Sequence, residues 1–271
     1  MKIHFLGTGE AVPNIKRQNT CLFFQEGDDH ILVDGHAHVS ALLKADGFDY
    51  TQIEHVFITH YHIDHISGLL NLFEHIFVTN YLRSPENIRR TKTLNLYGNA
   101  KALEMARSLL RLFGHYDGDS SYFPVVSHEL PMTDHEFMIG KLKINTFPAK
   151  HGHTTVNGPT EMPVLGLAVT GKNGKKAIYS ADTMPNQPVY DMAEAGDILI
   201  HECNSVTKLE TPVHTSLHQL KQIMPSLKVD KLYLVHLPYI SDEDETALEQ
   251  SLNEEFDGRM VICKDRQIIS F

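Results

Sequence analysis

Cysteine is scarce in this chain. Its 271 residues include three, Cys21, Cys203 and Cys263, far apart. An odd, scattered set forms neither a disulfide framework nor a clustered thiolate site, and its default setting is a reducing, cytoplasmic one. Positive charge is also short. Lys and Arg total 24 against 34 Asp and Glu, a formal net charge of −10. A broad basic face that would grip a phosphate backbone is therefore not expected, and a long polyanion is a poor partner. A small anion remains allowed, because a metal ion can supply positive charge locally. Long apolar runs are missing too. None nears the roughly 20 residues of a membrane span. The apolar start, Ile3 to Leu6, soon meets Gly7-Thr8-Gly9 and is too short for a signal-peptide core. A cytoplasmic protein off the membrane is expected.

What is present is a core and an excess of histidine. Apolar residues make up 42% of the chain, which argues against disorder. Lys2–Leu6, Thr20–Gln25 and His30–Val33 have strand character, the last two joined at Gly27-Asp28-Asp29. His55–Thr59 is a buried strand with Val56, Phe57 and Ile58 in a row. Ile66, Leu69, Leu70, Phe73 and Phe77 recur at helical spacing and predict a helix over Ser67–Tyr81. Thr93–Tyr97 predicts a strand, Asn99–Phe113 a helix and His115–Ser121 a loop. Hairpins are expected at Glu136–Phe147 and at Leu165–Thr170 with Lys176–Ser180. Ile198–His201, Lys231–Val235, Met260–Cys263 and Gln267–Ser270 are the later strands; Thr215–Met224 and Asp244–Glu255 the later helices. The strands fall into two batches, residues 2–97 and 136–271. That predicts an α/β fold in one domain over residues 1–271, two sheets face to face with helices outside.

The 18 histidines matter where they cluster, since histidine is the commonest metal ligand. Thr59-His60-Tyr61-His62-Ile63-Asp64-His65 stands at the end of a buried strand, just before a helix. His60 and His62 are two apart, so in extended chain they project to one side. Four donors within six residues are more than one tetrahedral ion takes from so short a segment, so two neighbouring ions fit better. With this composition, about 0.005 chance occurrences of the pattern are expected, so coincidence is a poor explanation.

His60-x-His62-x-Asp64-His65 resembles the signature of the metallo-β-lactamase fold superfamily. Phe5-Leu6-Gly7-Thr8-Gly9, followed by Pro13, Arg17 and Asn19, resembles the N-terminal signature of its ribonuclease Z branch, whose relatives include cyclic-phosphate phosphodiesterases. The resemblance spans the chain. It implies a four-layer αββα sandwich of two mixed sheets and a pair of divalent ions, with Zn²⁺ favoured and Mn²⁺ or Fe²⁺ allowed. It also implies further ligands. Phe147 to His151 ends a strand where the family places a metal histidine, with His153 as the competitor. Asp182, after Tyr179-Ser180-Ala181, matches the aspartate that bridges both ions. His236, after Leu234-Val235, matches the last ligand. One ion would then take His60, His62, His151 and Asp182, the other Asp64, His65, Asp182 and His236. By the same resemblance His214, in Pro212-Val213-His214-Thr215-Ser216, faces the substrate phosphate. As catalytic groups, His214 would protonate the leaving oxygen, Glu202 would orient it and Asp64 would accept a proton from the nucleophile. Asp34 is placed to fix the tautomer of a ligand histidine; His36 and His38 are expected as loop residues.

Three features depart from ribonuclease Z. The stretch after Asp34 is Gly35-His36-Ala37-His38 rather than glycine-rich. Leu237-Pro238-Tyr239 follows His236, without an arginine to pair with phosphate. Between His151 and Asp182 an ordinary hairpin is expected instead of a basic arm. With the −10 charge, these speak against tRNA 3′ processing. The expected activity is hydrolysis of a small or cyclic phosphodiester by hydroxide generated at the metals. A tRNA 3′ endonuclease, a lactone or thioester hydrolase on the same metals, and a non-hydrolytic redox or metal-binding protein are the alternatives. A homodimer stays open.

Overall fold

The computed structural model describes residues 1–12, 14–83, 92–112, 114, 123–207 and 211–271. The first sheet holds β1 (Lys2–Gly7), β2 (Cys21–Glu26), β3 (Asp29–Val33), β4 (His55–Ile58), β5 (Leu94–Gly98) and β6 (Val125–Glu129) in that spatial order. The second holds β7 (His135–Ile139), β8 (Leu142–Thr155), β9 (Gly158–Thr170), β10 (Lys176–Tyr179), β11 (Ile198–Glu202), β12 (Lys231–Val235) and β13 (Met260–Ile262). The last strand, β14 (Gln267–Ser270), crosses back and pairs with β1, Lys2 opposite Ser270. The split into residues 2–97 and 136–271 therefore needs two corrections: β6 extends the first batch, and β14 leaves the second. Both sheets are mixed. Strands β3 to β6 run parallel, as do β10 to β13, and the hairpins pair antiparallel.

Side-chain alternation builds the layers. Phe24 on β2 joins Val33, Phe57, Leu167, Tyr179 and Val235 between the sheets. Its neighbour Phe23 faces the other way, as strand geometry requires, with Leu32, Leu43, Leu69 and Phe73. That second layer lies under α1 (Val39–Ala45), α2 (Ile63–Phe77) and α3 (Ala100–Leu112). A third, with Leu199, Leu220, Leu234 and Leu252, lies under α4 (Gln187–Asp191), α5 (Leu217–Ile223) and α6 (Asp242–Phe256). The result is the expected αββα sandwich.

Element boundaries shift from expectation for local reasons. Helix α2 begins at Ile63, not Ser67, because Asp64 and His65 turn inward on its first turn and interrupt the apolar stripe. It gives way after Phe77 to a wider turn, Val78–Leu82. Helices α1 and α4 are too short for a periodic signal. Strands β8 and β9 are longer than expected, paired from Lys143–Thr170 out to Thr155–Gly158. His151 thus lies within β8 rather than at its end. The loop expected at His115–Ser121 lies outside the described residues. Among the described residues no helix is long and apolar enough to cross a membrane.

Candidate metal centre

The parallel strands aim their C-terminal ends at one edge of the sandwich, where ligands of open α/β sheets collect. Asp34 follows β3, His60 follows β4, Asp182 follows β10, Glu202 ends β11 and His236 follows β12. Three residues at these ends take left-handed backbone without being glycine: Asp34 at φ 59°, Ala181 at 53° and His236 at 56°. Such conformations cost about 1–3 kcal/mol each and cluster at working sites. The buried side chains just before them, Val33, Tyr179 and Val235, supply comparable amounts of about 1.5–3 kcal/mol each, so the strand frame sustains the turns. Helix α2 approaches the same edge closely. A Cβ on Gly68 would stand 2.3 Å from the His36 carbonyl oxygen, so only glycine lets the helix meet that loop.

Two donor groups form. His60, His62, His151 and Asp182 bring one donor atom each to within 4.8 Å of one another, and Asp64, His65 and His236 do the same. Asp182 joins them: its Oδ2 is 3.4 Å from His65 Nε2, 3.2 Å from His236 Nε2, and 3.9 Å from Nε2 of both His60 and His151. His214 also falls in a triad with Asp182 and His236. All seven residues expected as ligands therefore lie together. Of the two competing histidines, His151 is inside the group, 3.2 Å from His62 Nδ1. His153 stands behind His62, 3.0 Å from its Nε2.

Outer partners fix the rings. Asp34 Oδ2 accepts from His65 Nδ1 at 2.8 Å and from the Thr59 hydroxyl at 2.8 Å. The Thr59 oxygen in turn accepts from His60 Nδ1 at 2.9 Å. His151 Nδ1 donates to the Val213 carbonyl at 2.6 Å. In each of these three rings Nε2 is left facing the centre. Asp34 thus does what its position suggested. The roles of Thr59 and of Asn204, whose amide bridges Glu10 (2.9 Å) and His236 Nδ1 (3.4 Å), were missed, because a hydrogen-bond partner supplied by a distant loop has no spacing signal. His36 is buried with Nδ1 accepting from the His38 amide at 3.1 Å; neither joins the cluster.

The donor chemistry suits cations. Nε2 of His65 and Oδ1 of Asp182 are buried without a hydrogen-bond partner. Burial, then the neighbouring rings, hold His60 well below the ordinary histidine range and His62 down to about 4, so both present lone pairs at neutral pH. Burial works against the Asp182 carboxylate, but His236 and His65 outweigh it and keep it ionised. Burial lowers His65 and His236 too, but the carboxylates of Asp182 and Asp64 outweigh it and raise both, so these two rings carry the positive charge that a divalent ion would supply in their place. Carboxylates and imidazoles packed this closely, with orphaned atoms among them, fit divalent ions.

Beside the cluster, fully buried Glu202 accepts from the amides of Thr183 (3.1 Å), Thr215 (3.1 Å) and Asn204 (3.0 Å), and from His214 Nδ1 at 2.9 Å. Burial opposes charge on His214, but the Glu202 carboxylate prevails and pushes its pKa up to about 9.

Known proteins share this frame. Ribonuclease Z of Archaeoglobus fulgidus is 21% identical, over 96% of this chain and 94% of its own. Among solved structures, the metallo-beta-lactamase fold protein YhfI from Bacillus subtilis superposes with a TM-score of 0.74, at 21% identity, covering 99% of this chain and 98% of that one. Human tRNase Z, short form, gives 0.73 at 20% identity, covering 100% and 99%. The protein is a metal-dependent hydrolase of the metallo-β-lactamase superfamily, on its ribonuclease Z-like branch, and it uses divalent metal. Within that class, the family model described as anti-Pycsar protein Apyc1 matches residues 1–256, and the chain belongs to this family. The charge-based expectation against a nucleic-acid partner finds no support in relatives named ribonuclease Z.

Proposed function

We propose that the protein is a phosphodiesterase acting on a small or cyclic phosphodiester through two divalent ions. The observation that carries the reading is Asp182: one carboxylate oxygen within 3.2–3.9 Å of four ring nitrogens drawn from both donor groups. One ion takes His60, His62, His151 and Asp182; the other takes Asp64, His65, Asp182 and His236. Zn²⁺ suits the mixed His/Asp set best, with Mn²⁺ and Fe²⁺ compatible. One hydrolase domain over residues 1–271 holds the whole set, since β14 completes the sheet that begins with β1.

Bound there, divalent ions supply a lowered water pKa and charge neutralisation on the phosphoryl oxygens. The chain's own groups do the rest. Asp64, its Oδ2 3.2 Å from His65 Nε2 and 3.4 Å from His236 Nε2, takes a proton from the attacking water. Glu202 holds His214 by Nδ1, and the protonated His214 ring gives a proton to the departing alkoxide. Buried strand ends on every side keep these groups in place, so little reorganisation is needed during reaction. The test is Asp182→Ala. The expected result is loss of both metal equivalents and of phosphodiester turnover in a folded protein. Full activity or unchanged metal content would remove the assignment.

A second reading, tRNA 3′ endonuclease, rests on the full-length similarity to proteins named ribonuclease Z. The hairpin between His151 and Asp182 argues against it, since its outer stretch, residues 152–161, carries no lysine or arginine. Cleavage of a tRNA precursor in preference to small diesters would favour this second reading.

A further inference from the structure

We propose that His153 is a positioning residue for the metal centre: it holds the His62 ring by its outer nitrogen. The inference rests on the reading above that His62 is a metal ligand. The ring of His62 faces inward with Nδ1, which lies 3.0 Å from His60 Nε2 and 3.2 Å from His151 Nε2. A ligand using Nδ1 carries its proton on Nε2. That Nε2 is 3.0 Å from Nδ1 of His153. His153 then accepts at Nδ1 and carries its own proton on Nε2, 3.4 Å from the Tyr61 hydroxyl oxygen. Each nitrogen in the chain His62–His153–Tyr61 has one role, and none is left conflicting. The rings pack as well: His153 lies 4.8 Å from the His62 ring centroid and 5.7 Å from that of Tyr61.

The hairpin is built to bring His153 there. Strands β8 and β9 remain paired for four rungs past His151, at Gly152–Glu161, His153–Thr160, Thr154–Pro159 and Thr155–Gly158. A Cβ on Gly152 would stand 2.0 Å from the Thr160 carbonyl oxygen, so glycine between the two histidines lets the strands close tightly. The tip beyond is exposed and adds no core. Three other inward-facing rings have an outer acceptor from their own surroundings, Asp34 for His65, Thr59 for His60 and Val213 for His151, whereas His236 Nδ1 faces the Asn204 amide. His62 follows the first three, with a histidine from the overhanging hairpin.

The experiment measures Zn²⁺ affinity by competition with a chromophoric chelator, on wild type, His153→Phe and His153→Asn. Phe keeps the ring packing and removes the acceptor; Asn restores an acceptor oxygen at the same reach. The Phe variant is expected to bind one zinc equivalent about 10–100-fold more weakly, and the Asn variant to stay near wild type. Far-UV circular dichroism checks folding, and His153→Leu replaces the Phe variant should that one misfold. Wild-type affinity in the acceptor-free variant overturns the proposal. So does loss of one equivalent in both variants, which makes His153 a ligand itself. His62→Ala separates the underlying reading: if it leaves zinc affinity unchanged, His62 is no ligand and both fall.

Discussion

At Glu202 a single buried carboxylate ties three backbone amides and the His214 ring. It therefore sets both where His214 stands and how firmly it keeps a proton. With its pKa raised to about 9, His214 is protonated through neutral pH and loses its proton as pH rises through that value. Activity on alkyl phosphodiesters should fall on that alkaline limb. Glu202→Gln removes the charge that holds the proton, so the limb should move to lower pH; an unmoved limb would separate His214 from it. His214→Asn should slow alkyl esters by about 10²–10⁴-fold and p-nitrophenyl esters much less, because a good leaving group needs no proton. Equal losses on both would assign His214 a role other than proton donor. At this scale the sequence was legible where donors are contiguous or end strands: His60 to His65, Asp182 and His236. It was silent on Thr59 and Asn204, whose partners are chosen by tertiary contact.

At the scale of elements, α2 carries the central burden. Its first turn presents Asp64 and His65, and Gly68 one turn later lies against residues 35–36. Gly68→Ala should displace the helix, cost about 1–3 kcal/mol of stability and weaken metal binding together. Thermal unfolding and zinc titration on one sample check this; an unchanged affinity would mean the helix position does not tune the site. Strands with strong apolar runs, such as Lys231–Val235, were legible to the residue. The start of α2 was not, because polar site residues occupy core-facing helical positions there. Helix α4 has five residues, fewer than two turns, and leaves no periodicity to read.

Across the whole molecule, the two sheets meet at a common core while the donor atoms gather at one edge, from the end of β4 and the first turn of α2 on one side and from β8 and the ends of β10 and β12 on the other. Metal that binds only this assembled edge stabilises the fold by mass action, by about 2.7 kcal/mol at a hundredfold excess over the dissociation constant. Chelator-stripped protein should thus melt at lower temperature and recover with Zn²⁺; an unmoved transition would detach the metals from the folded edge. The two-sheet plan was legible because each batch of strands has its own helices, whereas the return of β14 to β1 was not, since pairing between chain ends has no local signature. The central claim is metal-dependent phosphodiester hydrolysis. Its most direct test is turnover of bis-p-nitrophenyl phosphate by chelator-stripped protein, before and after Zn²⁺ or Mn²⁺ is added. Activity absent at first and restored by metal is the predicted result. No hydrolysis with two metals bound would contradict the phosphodiester claim, and failure to bind two metals would contradict the ligand set itself.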